Sequence, residues 1–283
     1  MAITYDIRAM LRKFGVVTVM DVRAYKTELF AEDTTDETAG VDYIKGEWDA
    51  VSTFYEEKEE KLYPKKPLFT LDTLKIANIN QEGPTKTITG GQNADTLLKY
   101  GKTLTMEMQE ALGRYDVLHE IYGVNYSANH QIAAFTDRFP SELTLVGTTF
   151  VIDQATGAKQ PINVVIPRFL GDGIFNLTQD AEGDATVFDL NGNVLKFEGG
   201  TAGSEPVSVD GFNCTTACEW DGKIYDTGAD NEFYFMCTQE AMKIVELAGY
   251  RQAGKATDIT TTGSDTAGYT VTVSYPGTAT GSN

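Results

Sequence analysis

The chain has 283 residues, of which 41% are hydrophobic and 23% are charged, a composition typical of a globular protein with a sizeable core. Its formal net charge is −18, and its isoelectric point lies near 4.5. Such a surface repels nucleic acid and anionic membranes, and so argues against functions that depend on binding phosphate groups tightly. Two interpretations of the charge stay open. Either the charge only keeps the protein soluble, or it suits a protein along which nucleic acid slides without adhering.

The sequence predicts neither secretion nor membrane insertion. Its first residues, MAITYDIRAM, carry charge early and lack an apolar stretch, so no secretion signal is expected. No run approaches the roughly 18 to 20 apolar residues of a membrane-spanning helix, and no membrane partner is expected. Without an export signal, the cysteines Cys214, Cys218 and Cys237 are expected to be free thiols in a reducing compartment.

The first part of the chain predicts a helix, a strand and an insertion. Residues 4–15 have the apolar spacing of a short amphipathic helix, and residues 16–25 (VVTVMDVRAY) predict a strand because they are β-branched. Residues 31–66 are interpreted as an insertion between two strands. Within it, residues 41–63 combine helical spacing with strand composition, so both interpretations stay open.

Residues 71–113 carry the clearest pattern: strand, turn, strand, glycine-rich loop, long strand. The loop is predicted to run from Gly90-Gly91 through Lys99, and the long strand follows it. Along that strand the apolar residues Leu104, Met106 and Met108 alternate with the polar residues Thr103, Thr105, Glu107 and Gln109. This period of two predicts a sheet with one dry face and one wet face that lacks Lys and Arg.

The remainder predicts a helix over residues 112–122 and then further strands, with DLNGN (residues 189–193) as a tight turn. The fold class is therefore mainly β with a flanking helix, as an antiparallel β-sandwich or partly open barrel. Beyond residue 199 the composition shifts to Gly, Ser, Thr and Asp. Residues 1–199 are predicted to form one β domain, and residues 200–283 a C-terminal extension or an additional lobe that includes a helix from Thr238 to Ala248.

No catalytic motif is present, and no enzyme activity is expected. The chain has two histidines, His119 and His130. His119 lies on the apolar side of a predicted helix and is interpreted as a packed, hydrogen-bonded side chain. Without a free histidine, Ser/His/Asp and Cys/His catalysis lack their base. The sequence also contains no Walker loop and no G-x-S-x-G motif.

Metal and cofactor sites are likewise not expected. The three cysteines could supply zinc ligands, but their spacing is poor and no histidine lies near them in sequence. Acidic clusters at residues 180–184 and 226–232 lack the spacing of a calcium-binding EF-hand and are interpreted as acidic turns. A carboxylate pair for glycoside hydrolysis stays open, because 41 acidic residues always supply candidates.

The order and spacing of these segments resemble the tail tube (major tail) proteins of long-tailed bacteriophages, which are related to the tubes of contractile injection systems. The resemblance covers residues 16–195, about two-thirds of the chain. It is carried by VVTVMDVRAY, LDTLKIANI, ITGG, YGKTLTMEMQEALG and the block FPSELTLVGTTFVIDQATGAKQPINVVIPRFLGDGIFNLTQDAEGDATVFDLNG. Residues 31–66 and 200–283 show no usable resemblance.

This resemblance implies a structural protein of the virion tail, assembled in the host cytoplasm. Six subunits would form a ring, rings would stack into a tube, and strands of every subunit would join an inner β-barrel around a channel. Genomic DNA would pass through that channel without specific binding. Tail sheath, tape measure, and baseplate or terminator proteins would be further partners. Ring closure would also remove exposed sheet edges, and an acidic wall would not hold DNA.

The resemblance also assigns expectations to particular residues. Those expected to face the lumen are Thr103, Thr105, Glu107 and Gln109. Ring-to-ring contact is expected in the glycine-rich loop, at Gly90, Gly91, Asn93, Asp95 and Lys99, and in the insertion 31–66, because repeated head-to-tail contacts turn rings into filaments.

Two other classes remain as alternatives. One is a different virion structural protein, such as a head decoration, baseplate or tail-completion protein. The other is a carbohydrate-binding β-sandwich, which needs exposed aromatic side chains on one sheet face. Trp48 and Trp220 are the only tryptophans in the sequence, and this disfavours the carbohydrate-binding class.

Overall fold

The computed structural model describes the greater part of the chain, with gaps. The described residues are 19–29, 47–72, 74–83, 85–90, 94–99, 101–110, 115–127, 129, 131–135, 139–152, 157–173, 188–199, 232–250 and 258–274. The predictions for residues 4–15, for His130, for the acidic cluster 180–184 and for residues 226–231 of the second acidic cluster lie outside these described residues.

Strands dominate the described residues. The first elements are β1 (Val19–Lys26), β2 (Glu47–Trp48), α1 (Ala50–Phe54), β3 (Tyr55–Lys58), β4 (Lys61–Pro64), β5 (Phe69–Leu71), β6 (Leu74–Glu82), β7 (Thr85–Gly90), β8 (Ala94–Lys99) and β9 (Thr103–Glu110). They are followed by α2 (Tyr115–Tyr122), β10 (Asn125–Tyr126), β11 (Ala133–Ala134), β12 (Glu142–Ile152), β13 (Lys159–Gly171), β14 (Phe188–Val194), β15 (Glu198–Gly199), β16 (Phe235–Thr238), α3 (Gln239–Ala248), β17 (Asp258–Ser264) and β18 (Gly268–Ser274). The pairing is mainly antiparallel, although β2 and β15 pair in parallel. The predicted class, mainly β with minor helix, is confirmed.

The chain divides into two compact units. The first comprises Met1–Thr70, Leu143–Arg168 and Lys196–Asn283, and the second comprises Leu71–Glu142 and Phe169–Leu195. The boundary predicted at residue 199 stays a prediction. Described strands beyond it pair with strands of the first unit, since β16 joins β13 and β18 joins β4.

The first unit is built on a sheet in which β5, β1, β12 and β13 are successive neighbours. Residues Leu143–Val146 of β12 are all buried, and consecutive buried residues mean that both faces of this strand are covered. The hydroxyl of Thr144, although buried, donates to the carbonyl of Pro167 at 2.8 Å. The buried polar group is therefore satisfied and its burial costs little.

One face of this sheet carries an aromatic core, to which the described helices α1 and α3 contribute. Trp48 is 1% exposed, and its ring meets Phe54 and Phe197 edge to face, with centroids 6.1 and 5.6 Å apart. The helix α3 supplies Met242 and Val245 to the same cluster. The predicted helix ends are confirmed, because the side chain of Thr238 caps the first turn and Gly249, with φ of 95°, follows the last residue.

Residues 47–64 contain both helix and strand, which accounts for their mixed pattern. After α1 the chain forms the hairpin β3–β4, in which Lys58 pairs with Lys61. The two residues at its tip, Glu59 and Glu60, have φ values of 50° and 59°. A two-residue turn with both φ values positive is the favoured hairpin turn, but it suits Asn and Gly rather than Glu.

We expect Glu59→Asn/Glu60→Gly to raise the free energy of unfolding by about 1 kcal/mol, because it relieves this left-handed strain. Chemical denaturation measures the change. Glu57→Gln removes a charge from the same hairpin without touching a strained residue, and is the matched control. If the double variant is no more stable than this control, Glu59 and Glu60 are not strained in the folded protein.

A half-buried carboxyl, that of Glu246, lies on the helix that covers the aromatic core. Burial raises the pKa of Glu246 above its ordinary value, and the charges of Arg23 and Lys243 offset only part of that rise. Burial and the charge of Glu246 together raise the pKa of the Cys237 thiol to about 12. This buried cysteine is free and stays protonated at neutral pH.

The raised pKa makes Glu246 destabilising when ionised. Because the folded state binds its proton more tightly than the unfolded state, stability from this group is greatest below the ordinary value of 4.5 and falls as pH rises through the folded pKa. We therefore expect Glu246→Gln to stabilise the protein at neutral pH, with a gain that vanishes towards pH 4. Thermal melts across this range measure it. Glu240→Gln, in the exposed first turn of α3, should keep the wild-type pH dependence.

Candidate functional site

The second unit presents a polar face made by three adjacent strands. The long strand β9 pairs with β14 on one side and with β6 on the other. Glu107 lies opposite Asn191 on β14 and opposite Asn78 on β6, and directly opposed residues share one face of a sheet. This register aligns Asn78, Asn80, Glu82, Thr103, Thr105, Glu107, Gln109, Asp189, Asn191 and Asn193, which are called the polar face below, and at its end Ile76 lies opposite Gln109.

Amide, hydroxyl and carboxylate groups make up the polar face. None of its described side chains is Lys or Arg. Most of them are exposed, while Gln109 and Asn191 are half-buried. The Gln109 amide donates to the Asp189 carboxylate at 2.9 Å, which links β9 to β14 through side chains as well as through the backbone. The face is thus hydrophilic without being able to neutralise phosphate groups.

On β9 and β14 the opposite face is dry. Leu104, Met106 and Met108 are 4%, 5% and 0% exposed, as their alternation with polar residues predicted. On β14, Gly192 lies under the ring of Phe169: a Cβ at this position would come within 2.4 Å of the ring carbon Cζ. Gly192 therefore allows a large buried aromatic side chain to pack directly on the strand backbone.

The helix α2 packs against β14 and the end of β13. The Tyr122 hydroxyl donates to the carbonyl of Asp189. A Cβ on Gly171 would lie 2.8 Å from the carbonyl oxygen of Ile121, so the helix approaches the end of β13 as closely as glycine permits. The helix predicted over residues 112–122 is described from Tyr115 to Tyr122. It buries Val117 and Ile121 one turn apart, whereas Tyr115 is 64% exposed.

The histidine expected to be structural is packed as predicted. His119 is half-buried, and its Nδ1 lies 2.7 Å from the carbonyl oxygen of Val124. Of the three cysteines, Cys237 is described and buried, whereas Cys214 and Cys218 lie outside the described residues. Where the chain is described, no group of three or more His, Cys, Asp or Glu side chains could hold a metal ion.

The glycine-rich segment differs from its prediction. Gly90 ends β7, and Asp95 and Lys99 lie in β8, which pairs antiparallel with β7 from Thr85↔Lys99 to Gly90↔Ala94. The predicted loop through Lys99 is therefore wrong for these residues, because ladder hydrogen bonds satisfy the backbone as far as Gly90 and Ala94. Gly91 and Asn93 lie outside the described residues. The role of all five in ring-to-ring contact stays a prediction.

The sequence identified the polar residues of β9 but missed their neighbours. Alternation was present in Asn78-Ile79-Asn80 and again in residues 189–193. The second of these was interpreted as a tight turn, which is wrong, since these residues belong to β14. The error came from reading Gly192 as a turn residue, whereas it makes room for Phe169.

One comparison with known proteins bears on this chain. Residues 121–204 match the family model described as the YomU/Tube protein family. This part of the chain, less than half of it, is similar to that family and overlaps the end of the predicted tail-tube resemblance. No curated protein matches the chain. Within the described residues, no helix combines the length and apolar character needed to cross a membrane.

Proposed function

We propose that this chain is the tail tube subunit of a bacteriophage. Six copies form a ring, the rings stack into a hollow tube, and genomic DNA passes through the tube towards the host. Tail sheath, tape measure, and baseplate or terminator proteins are the partners that such a tube needs. In this role the chain is a structural component of the tube wall and has no catalytic activity.

The polar face of the second unit carries this proposal. It spans β6, β9 and β14, it is wet, and its described side chains include three acids and no Lys or Arg. Repeated around a ring, such a face repels phosphate groups and leaves no cation for DNA to bind. Thr103, Thr105, Glu107 and Gln109 then face the lumen, together with their neighbours on the adjoining strands.

The family match supports the same proposal independently. The matched residues 121–204 include β14, which contributes Asp189, Asn191 and Asn193 to the polar face. The net charge of −18 further supports a function in which DNA slides past rather than adheres.

The test is to concentrate the purified full-length chain and to image it by negative-stain microscopy, followed by a helical reconstruction. We expect hollow rods of stacked six-subunit rings whose inner wall carries Glu107. Glu107→Gln, which removes one charge from an exposed position, should form the same rods. Discrete particles that never form rods, or rods in which Glu107 lies on the outer wall, would contradict the proposal.

A further inference from the structure

A short hairpin in the second unit exposes apolar side chains. Where the chain is described, β10 and β11 pair only with each other. Ile132, Ala133, Ala134 and Phe135 are consecutive and all exposed, at 67% for Ile132 and 61% for Phe135, and the nearby Phe139 is 89% exposed. These five residues are called the apolar patch below. Four exposed apolar residues in a row are unfavourable in an isolated subunit, and indicate a surface that becomes covered.

Hydrogen bonds of the backbone and of the Ser127 side chain hold this hairpin, including the backbone of Ile132 in the apolar patch. The hydroxyl of Ser127 accepts hydrogen bonds from the backbone N–H groups of Gln131 and Ile132, both at 3.1 Å. The Ser127 N–H in turn donates to the carbonyl of Ile132 at 2.9 Å. The apolar side chains are thus presented in a fixed arrangement, which lowers the entropic cost of docking. A lone two-stranded hairpin is marginal in water, so a docked partner would also stabilise it.

The local charge indicates which partner covers the apolar patch. Residues 125–135 contain no Asp, Glu, Lys or Arg, and Asp137 and Arg138, which precede Phe139, carry opposite charges, so the segment 125–139 has no formal net charge in a chain whose net charge is −18. Two copies of so acidic a chain repel one another except where their surfaces are uncharged, whereas a basic partner would be drawn to the acidic surface instead. The apolar patch also lies within residues 121–204, the part of the chain that matches the tube family.

We propose that the apolar patch docks on a second copy of this chain, with Phe135 and Phe139 as its anchors. The inference rests on the proposed tube function, since it names one contact through which subunits associate. Aromatic side chains that lose water on docking carry most of the binding energy of an interface. The remaining patch residues contribute shape and exclude water.

Sedimentation velocity over a concentration series tests this inference, with negative-stain imaging of the same samples. The full-length variants are Ile132→Ser/Phe135→Ser and Phe139→Ser. We expect the protein concentration at which each variant associates to be at least about tenfold higher than that of the wild type. Leu68→Ser, at a 39% exposed leucine of the first unit, is the matched control and should associate as the wild type does.

Site-specific crosslinking covers the case in which a serine variant fails to fold. Phe139→p-benzoylphenylalanine keeps an aromatic ring in place, and ultraviolet light should then yield crosslinked dimers; their absence would overturn the inference. Patch variants that form rods at wild-type concentrations would overturn it too, and leave the tube function standing. If the wild type forms closed dimers but no rods, and the patch variants do not form these dimers, the patch contact is supported and the tube function is contradicted. A wild-type chain that is monomeric throughout would overturn both.

Discussion

Assembled tubes of the Glu107→Lys variant are expected to retain double-stranded DNA that wild-type tubes release. Glu107 is exposed at the middle of the polar face, between Asn191 and Asn78. The substitution replaces a negative charge by a positive one, and assembly repeats that change in every subunit. Each lysine that neutralises a phosphate adds about 0.9 to the slope of log affinity against log salt, so retention should be strong at low salt and weak at high salt.

Co-sedimentation of short fluorescent DNA duplexes with assembled tubes measures this retention across a salt series. Glu57→Lys is the matched control, because Glu57 is exposed on β3 of the first unit and the charge change is identical. Retention by the Glu107 variant alone would support a lumenal Glu107. Equal retention by both variants, or by neither, would show that this face does not line the path of DNA.

Gly192→Ala is expected to lower the free energy of unfolding by about 3 kcal/mol, at the upper end of the cost of overpacking a core. The new Cβ would lie 2.4 Å from Cζ of Phe169 and 2.5 Å from the carbonyl oxygen of Leu170. Phe169 is fully buried, so its ring has little space into which to move. Since Gly192 lies beside Met106 in the ladder, the register of the polar face should suffer as well.

Equilibrium denaturation of matched variants separates overpacking from a general effect of losing a glycine. Gly101→Ala is the control, because a Cβ there meets nothing within 4 Å. Phe169→Leu replaces the ring by a smaller aliphatic side chain, so Gly192→Ala should cost less in that background than in the wild type. The rescue should be partial, since the Leu170 carbonyl remains close. Equal costs in both backgrounds would contradict the role of the Phe169 ring.

Local sequence patterns predict the features that depend on residues close together in the chain. The one-sided burial of β9 follows from its alternation of polar and apolar residues, and the ends of α3 follow from its capping residues. The polar face could be predicted only in part, since the pairing of β6 with β9, and of β9 with β14, is not a local property. The sequence gives no direct sign that Asn78 lies beside Glu107.

Glycine was the residue most often misinterpreted. The sequence pattern predicts a loop that begins at Gly90 and a turn at Gly192, yet both glycines lie in strands. Composition cannot separate a glycine that bends the chain from one that admits a neighbouring side chain, because that neighbour can come from anywhere in the sequence. The tip of the β3–β4 hairpin shows the converse case, since Glu59 and Glu60 adopt positive φ without any glycine.

The interleaving of the two units along the chain sets an order of events during synthesis. All segments of the second unit have been translated by Leu195, so it can fold on the emerging chain. The first unit must wait, because β13 pairs Ile162 with Thr238 and the aromatic core needs Met242 and Val245. A chain truncated before residue 235 would therefore lack β16 and α3, and its aromatic core would stay incomplete.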